Sequence, residues 1–201
     1  MKYQENEALT MWSEFCFRQH DVVCNQQYGE LPYSYHLKSV WNIAKSHKAT
    51  FTQQMIALGH DLIEDARMTY NDVYGRLLSI FKEIGFKLRS NGILFNNGMF
   101  DANELERIAN GIYACTELRG KNRKERHGEE YIQMIIGDYD AAFVKLCDVK
   151  ANTLQSLAQG TAPMCKNEMH IVKRYLDAAK DGDSESRLLV IYNHIKALTE
   201  F

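Results

Sequence analysis

The sequence contains little proline and no long apolar run, and both absences restrict the class of protein. Only 2 of the 201 residues are proline, which favours long uninterrupted helices over a loop-rich or fibrous chain. No segment reaches the roughly 18 consecutive apolar residues of a membrane span. The N-terminal segment MKYQENEALT also lacks the basic and apolar regions of a secretory signal. We therefore expect a cytoplasmic protein with no membrane partner.

The sequence also lacks a strong excess of either charge and lacks closely spaced cysteines. Its formal net charge is -2, which argues against a surface that binds nucleic acid or anionic lipid over its whole extent. The five cysteines are scattered, and no CxxC pair indicates a zinc site or a thiol redox couple. We expect these cysteines to be reduced packing residues.

What the sequence does have is apolar residues at helical spacing along almost its whole length. Examples are Leu37, Val40, Trp41 and Ala44, and strand-type alternation is nearly absent. The pattern predicts an all-α fold, and the length suits a single domain over residues 1–201. The later helices are predicted at 129–137, 139–158, 168–179 and 184–198. The segment KLRSNGILFNNGMFD, with its Asn-Gly turn signals, is predicted to leave the helical body as a surface excursion.

The segment GHDLIEDA, which we predict to lie on the third helix, contains the most informative polar residues. His60 and Asp61 are adjacent, and an imidazole beside a carboxylate serves a divalent ion when other helices supply further ligands. Glu64 and Asp65 each follow one of them by four residues, so a helix would place all four side chains on one stripe. The alternative is a solvated charged face. Because the helix is otherwise apolar, buried carboxylates there would need a metal ion or a basic partner.

Two further segments complete a recognisable pattern. The segment PYSYH ends in His36 near the start of the second helix, and KLCDVKANT contains Asp148 and Asn152 four residues apart. Together with HDLIED, these blocks resemble the hydrolase domain of the RelA/SpoT family and its small single-domain relatives, the small alarmone hydrolases. Those relatives are helical HD domains that use manganese. The resemblance runs from about residue 8 to about residue 180, with an insertion near 86–100.

The resemblance implies an all-α HD-domain bundle with one divalent ion, Mn²⁺ or another divalent metal. By that resemblance the metal ligands are His36, His60, Asp61 and Asp148. Two imidazoles with two carboxylates also suit Mn²⁺ on chemical grounds. In the family the acidic pair after the HD dipeptide is catalytic, which implies Glu64 and Asp65 here. A carboxylate one turn beyond the ligands is placed to orient a water molecule and accept its proton.

Substrate-binding residues are also implied by the resemblance. Asn152 matches a family residue near the substrate phosphate, and Tyr175 matches an aromatic residue near the nucleotide, with an ordinary core or surface tyrosine as the alternative. The run RGKNRKERH occupies the place of a basic stretch that holds phosphates in the family. Its cations suit a pyrophosphate through charge-assisted hydrogen bonds, although a charge run is also typical of a solvated loop. The candidates there are Arg119, Lys121, Arg123 and Arg126.

The sequence departs from the family pattern just before PYSYH and at one position after Asn152. The family has basic residues that hold the nucleotide where this chain has Asn25, Gln26 and Gln27. An amide forms hydrogen bonds but lacks the cation that stacks on a base or pairs with a phosphate. Gln155 also replaces an expected small hydroxyl residue. The metal chemistry is unaffected, while the base specificity is left open.

The sequence therefore predicts a metal-dependent phosphohydrolase that acts on a small nucleotide. The favoured substrate is a guanosine alarmone, from which the enzyme would remove the 3′-pyrophosphate. One alternative is another nucleotide or a pyrophosphorylated tRNA 3′ end. An alternative of a different class is a regulator that binds a nucleotide without turning it over.

Overall fold

The structure, a computed structural model, is helical over most of the chain. It describes residues 2–84, 87–89, 92–95, 98–100, 102–117, 121, 123–163, 165–178 and 187–200. The α-helices of this part are α1 (Lys2–Arg18), α2 (Ser34–Ser46), α3 (Phe51–Gly59), α4 (Tyr70–Glu83), α5 (Ala102–Cys115), α6 (Arg123–Arg126), α7 (Glu129–Ile136), α8 (Tyr139–Ala158), α9 (Met169–Arg174) and α10 (Arg187–Thr199). The predicted all-α class is confirmed.

Shorter helical turns extend or join these helices. A π-helical turn, Gln19–Val23, continues α1, and 3₁₀ turns at Lys166–Glu168 and Tyr175–Ala178 flank α9. The helix predicted over 168–179 is therefore three short pieces rather than one. The predictions for 129–137 and 139–158 agree with α7 and α8 to within one residue, and the prediction for 184–198 agrees with α10 in its described part.

Side-chain caps explain where two of the central helices begin. Thr50 precedes α3, and its side chain accepts a hydrogen bond from the Gln53 amide while the Gln53 side chain accepts one from the Thr50 amide. Thr69 and Asp72 form the same reciprocal pair at the start of α4. Each pair satisfies two backbone N–H groups that the first helical turn leaves unpaired.

Helix α3 is the centre of the core. It packs against α1, α2, α5 and α8, and Met55, Ile56 and Leu58 are fully buried. Gly111 of α5 permits the close approach of that helix, because a Cβ atom there would lie 2.3 Å from Ile56 Cδ1. The end of α3 is thus held inside the bundle, which buries the residues that follow it.

Two features of the predicted fold are wrong in detail. The GHDLIEDA segment is not helical throughout, because α3 ends at Gly59 and residues 60–65 form turns. Polar contacts replace the helical spacing there: Tyr33 contacts Asp61 and Asp65, and the Glu117 amide donates to Glu64.

The second difference from the predicted fold is that the structure contains short strands, which the apolar spacing did not indicate. Residues 27–28 and 31–32 form a small hairpin, β1 and β2. In the predicted excursion, β3 (Lys87–Arg89), β4 (Gly92–Phe95) and β5 (Gly98–Phe100) form an antiparallel sheet in sequential order. Asn-Gly pairs favour the tight turns that such hairpins need.

The cysteines agree with the prediction that they are reduced packing residues. All five cysteines are thiols, with Cys16, Cys115, Cys147 and Cys165 buried and Cys24 partly buried. In the described part of the chain, no helix combines the length and the apolar character that crossing a membrane requires.

Candidate metal and active site

The four predicted metal ligands come from three separate segments and meet in the bundle interior. His36 lies in the first turn of α2, His60 and Asp61 directly follow α3, and Asp148 lies in the middle of α8. His36 Nε2 is 3.4 Å from Asp61 Oδ2 and 3.3 Å from Asp148 Oδ1. His60 Nε2 is 3.1 Å from Asp61 Oδ2 and 3.8 Å from Asp148 Oδ1. All four side chains are buried.

The donor atoms of this cluster fit a divalent ion. Donor atoms of His36, His60 and Asp148 lie within 4.8 Å of one another. His60 Nδ1 donates to the Ala57 carbonyl at 3.0 Å, whereas the buried Nε2 faces the carboxylates of Asp61 and Asp148. In the neutral ring this assignment leaves the Nε2 lone pair facing two carboxylates, which is the usual state of a metal-binding histidine.

Without a metal ion the cluster retains a proton instead. Burial acts to lower the pKa of His60, but the carboxylates of Asp61 and Asp148 outweigh it and raise this pKa to about 10. The two buried carboxylates therefore stabilise a positive charge at the place where the imidazole nitrogens of His36 and His60 meet. A divalent ion satisfies the same demand and displaces the proton.

Asp148 is further held by two residues of its own helix. Lys145 Nζ lies 3.0 Å from Asp148 Oδ2, and the Asn152 side-chain amide donates to Asp148 Oδ1 at 2.7 Å. Burial acts to raise the pKa of Asp148, yet Lys145 and the two histidines hold it well below its usual value. Asp148 is thus an ionised, oriented carboxylate, as a metal ligand requires.

The predicted catalytic pair lies beside the ligands and faces a cavity. Glu64 accepts a hydrogen bond from the Glu117 amide at 3.1 Å, and burial raises the pKa of Glu64 to about 7. Asp65 Oδ2 lies 2.7 Å from the Tyr33 hydroxyl, and burial together with Asp61 raises the pKa of Asp65. A carboxylate with a pKa near neutrality is suited to accept and release a proton during turnover.

The cavity has a volume of about 250 Å³ and combines polar and aromatic walls. Eight predicted site residues line it: His36, Asp61, Glu64, Asp65, Arg126, Asp148, Asn152 and Tyr175. Tyr28, Val149 and Ile171 add an apolar and aromatic surface, and Lys145 and Arg126 add positive charge. The cavity therefore offers cations, carboxylates and an aromatic wall to one ligand.

The basic run contributes to this cavity only in part. Arg119 lies outside the described residues, and Arg123 begins α6 with a side chain that the structure does not describe. Lys121 is exposed and is not among the cavity-lining residues. Arg126 does line the cavity, with its Nε 3.4 Å from Glu117 Oε2. The phosphate-binding role of Arg119, Lys121 and Arg123 stays a prediction.

Several site residues were not singled out from the sequence. Lys145 is three residues before Asp148, so helical periodicity alone places it on the same face of α8. Tyr28 donates to Asn152 Oδ1 at 2.6 Å from the β1–β2 hairpin, and His127 pairs with Glu117 across the cavity. No helical spacing indicates these last contacts, because Tyr28 and Asn152 lie 124 residues apart, and Glu117 and His127 lie 10 residues apart outside any shared helix.

The structure also explains one departure from the family pattern. Gln26 is half-buried, and its side-chain amide donates to the Asp65 carbonyl at 2.8 Å while its oxygen contacts His20 Nδ1 at 2.6 Å. This side chain is therefore engaged inside the protein and does not extend toward a nucleotide. Asn25 and Gln27 are exposed.

Comparison with known proteins supports the fold. No protein-family model matches the chain, and no curated protein matches its sequence. The structure is similar to that of a metazoan ortholog of SpoT that hydrolyzes ppGpp and plays a role in starvation responses, with a TM-score of 0.62, 17% sequence identity and coverage of 94% of both chains. At this identity the similarity shows a shared fold over nearly the whole chain, which is the all-α fold that the resemblance implies.

Proposed function

We propose that the chain is a metal-dependent phosphohydrolase that removes the 3′-pyrophosphate of a guanosine alarmone. The observation that supports this most is the convergence of His36, His60, Asp61 and Asp148, from three distant segments, on one buried point beside a cavity. The alarmone is favoured because the same fold occurs in a protein that hydrolyzes ppGpp.

His36, His60, Asp61 and Asp148 would hold the metal ion. A divalent ion in that place, Mn²⁺ in this proposal, supplies Lewis acidity toward water and toward a phosphate oxygen. Asp148 is already ionised and braced by Lys145 and Asn152, so the protein needs little rearrangement to accept the ion.

Glu64 and Asp65 would handle the proton of the attacking water. Both carboxylates line the cavity, and both have a raised pKa. In the reaction, water adds to the phosphorus next to the 3′ oxygen and gives its proton to one of these carboxylates. The bond between phosphorus and the 3′ oxygen breaks, and the nucleoside hydroxyl and pyrophosphate leave once that oxygen has received a proton.

Lys145 and Arg126 would neutralise the transferred pyrophosphate. They are the cations that line the cavity among the described residues, and charge-assisted hydrogen bonds to phosphate are among the stronger ones in proteins. At about 250 Å³ the cavity is near the lower end of ligand pockets, which start at roughly 300 Å³. We therefore place the pyrophosphate inside the cavity and the nucleoside at its mouth, near the partly exposed Tyr28.

Another nucleotide or a pyrophosphorylated tRNA end is the second candidate substrate. Gln26 is engaged by His20 and Asp65, and the neighbouring positions 25 and 27 have no cation. Stacking and pairing by a cation are thus missing from the segment where the family reads the guanine nucleotide. The non-catalytic regulator is less favoured, because a binding protein has no use for two proton-accepting carboxylates in the cavity.

The test is turnover by purified protein with Mn²⁺, using guanosine and adenosine 3′-pyrophosphates and pyrophosphorylated tRNA at two salt concentrations. Glu64→Gln is the matched inactive variant, since it preserves size and removes the charge. Preference for the guanosine compound supports the proposal. Preference for tRNA with a steep salt dependence indicates the second candidate, because phosphate contacts are lost as salt rises. Metal binding without cleavage of any of the three contradicts the 3′-pyrophosphate assignment.

A further inference from the structure

The end of α1 has an unusual backbone at a position close to the site. Residues 19–23 form a π-helical turn, in which the Cys24 amide donates to the Gln19 carbonyl at 3.0 Å. Such turns are rare and are frequent at functional sites. This turn leaves Val22 and Val23 exposed at 69% and 62% but buries His20 completely. A polar ring is thus directed inward while two apolar side chains face solvent.

The hydrogen bonds of Gln26 determine which nitrogen of His20 is protonated. The Gln26 side-chain nitrogen donates to the Asp65 carbonyl at 2.8 Å, so its oxygen faces His20 Nδ1 at 2.6 Å. An amide oxygen only accepts, so Nδ1 donates. Burial lowers the pKa of His20, in keeping with a neutral ring. The buried Nε2 has no hydrogen-bond partner among the described residues. Hydrogen bonds therefore satisfy only one of the two ring nitrogens of His20.

The ring of His20 lies flat against Tyr33. Their centroids are 4.6 Å apart and their planes differ by 8°. The Tyr33 hydroxyl in turn lies 2.7 Å from both Asp61 Oδ2 and Asp65 Oδ2. The Tyr33 hydroxyl therefore contacts both the predicted metal ligand Asp61 and the predicted catalytic carboxylate Asp65. His20 packs against one face of the Tyr33 ring.

Backbone contacts close this group of residues into one unit. The Gln26 amide donates to the His20 carbonyl at 2.9 Å, and the Tyr33 amide donates to the Gln26 carbonyl at 3.3 Å. Gln26 thus contacts His20 and Tyr33 through its backbone, and His20 and the Asp65 carbonyl through its side chain. Asp65 is held both at its backbone and at its carboxylate by the same unit.

We infer that His20, Gln26 and Tyr33 form a positioning group that sets the Asp65 carboxylate relative to Asp61. This inference rests on the proposed function, in which Asp65 handles a proton next to the metal ligands. Tyr33 acts on the carboxylates directly, while His20 and Gln26 act through Tyr33 and the Asp65 backbone. The His20 and Gln26 side chains contact Tyr33 and the Asp65 backbone rather than a proposed metal ligand, so their loss affects the rate more than the affinity for metal or substrate.

Gln26→Met tests the inference, because methionine has a similar length and forms neither side-chain hydrogen bond. We expect kcat to fall by about tenfold to a hundredfold, the range for a reacting group displaced by about 1 Å. KM for the guanosine 3′-pyrophosphate and the Mn²⁺ affinity measured by calorimetry should stay within about twofold of wild type. His20→Phe, which preserves the ring stacking but removes the Nδ1 donor, should show the same split. Gln133→Met, at an exposed position of α7, is the control and should match wild type.

A crystal structure of Gln26→Met supplies a measurement that does not depend on turnover. We expect the Asp65 carboxylate to have moved out of contact with the Tyr33 hydroxyl. An unmoved Asp65, or a kcat that falls only in proportion to the loss of folded protein in a thermal melt, overturns the inference. If wild type cleaves no pyrophosphorylated nucleotide, the proposed function fails by itself, and the position of Asp65 in this crystal structure decides the positioning role.

Discussion

Gly59 links the packing of the core to the position of the metal ligands. It is the last residue of α3 and directly precedes His60. A Cβ atom at Gly59 would lie 2.8 Å from Trp12 Cζ2 and 2.9 Å from Ile112 Cδ1. The Ile112 methyl group can rotate away, but the Trp12 ring is held by a hydrogen bond from Nε1 to the Met55 carbonyl at 2.9 Å. Gly59→Ala therefore forces either the ring or the end of α3 to move.

The magnitude follows from two opposing effects. Overpacking a well-packed core destabilises by about 1–3 kcal/mol, while replacing a helical glycine with alanine gains at most about 1 kcal/mol. The net loss of roughly 0–2 kcal/mol corresponds to a fall in Tm of up to roughly 8 °C for a chain of this length. Because His60 and Asp61 follow at once, we also expect a lower Mn²⁺ affinity.

Thermal unfolding and calorimetric Mn²⁺ titration of Gly59→Ala would measure both effects. Gly75→Ala is the matched control, since Gly75 lies within α4 and a Cβ atom there meets nothing within 4 Å. This control should gain about 0.5–1 kcal/mol and bind metal normally. If Gly59→Ala were as stable as Gly75→Ala, the close packing of α3 against α1 and α5 would be refuted.

Four further predictions concern the site itself. His60→Ala and Asp148→Ala should each abolish Mn²⁺ binding in calorimetry, because each removes one of four proposed protein ligands. His194→Ala, at an exposed position, is the control and should bind Mn²⁺ normally. Normal binding by His60→Ala or Asp148→Ala would remove that residue from the site. Glu64→Gln should bind Mn²⁺ normally but turn over at least about a hundredfold more slowly. In the metal-free protein, the pKa of Glu64 is raised from 4.5 to about 7. The free energy of unfolding that this group contributes is therefore complete below pH 4.5 and is lost as the pH rises through 7. Urea denaturation of Glu64→Gln should show a smaller loss of stability over that pH range. Asn152→Leu should weaken Mn²⁺ binding by about 10–100-fold, because it removes the hydrogen bond that orients Asp148, and unchanged affinity would contradict that role.

The helical part of the fold was predictable because its signals are local. Apolar spacing located α7 and α8 to within one residue. The segment after Gly59 was not predicted correctly, because its polar side chains have the spacing of a helix while tertiary contacts hold them in turns. A local sequence pattern does not predict tertiary contacts with residues such as Tyr33 and Glu117, which belong to other parts of the chain.

The residues of the candidate metal cluster were predictable from the sequence, but the neighbouring residues that hold them in place were not. The family resemblance implied His36, His60, Asp61 and Asp148 as ligands, and the structure brings these four side chains together. Lys145 lay inside the KLCDVKANT block without being singled out, because an isolated lysine on a helix usually faces solvent. Only its burial next to Asp148 shows that it compensates the charge of the cluster.

By itself the sequence predicted the helical class from apolar spacing, and its motifs, through the family resemblance, implied the candidate ligands and the acidic pair. The tertiary structure decided which groups surround them: Tyr33 between Asp61 and Asp65, and Gln26 turned inward against His20. The physical reason is that hydrogen bonds and charge compensation act across a few ångströms of space, whatever the separation along the chain. Such contacts leave no periodic trace in a single sequence, whereas burial of an apolar face does.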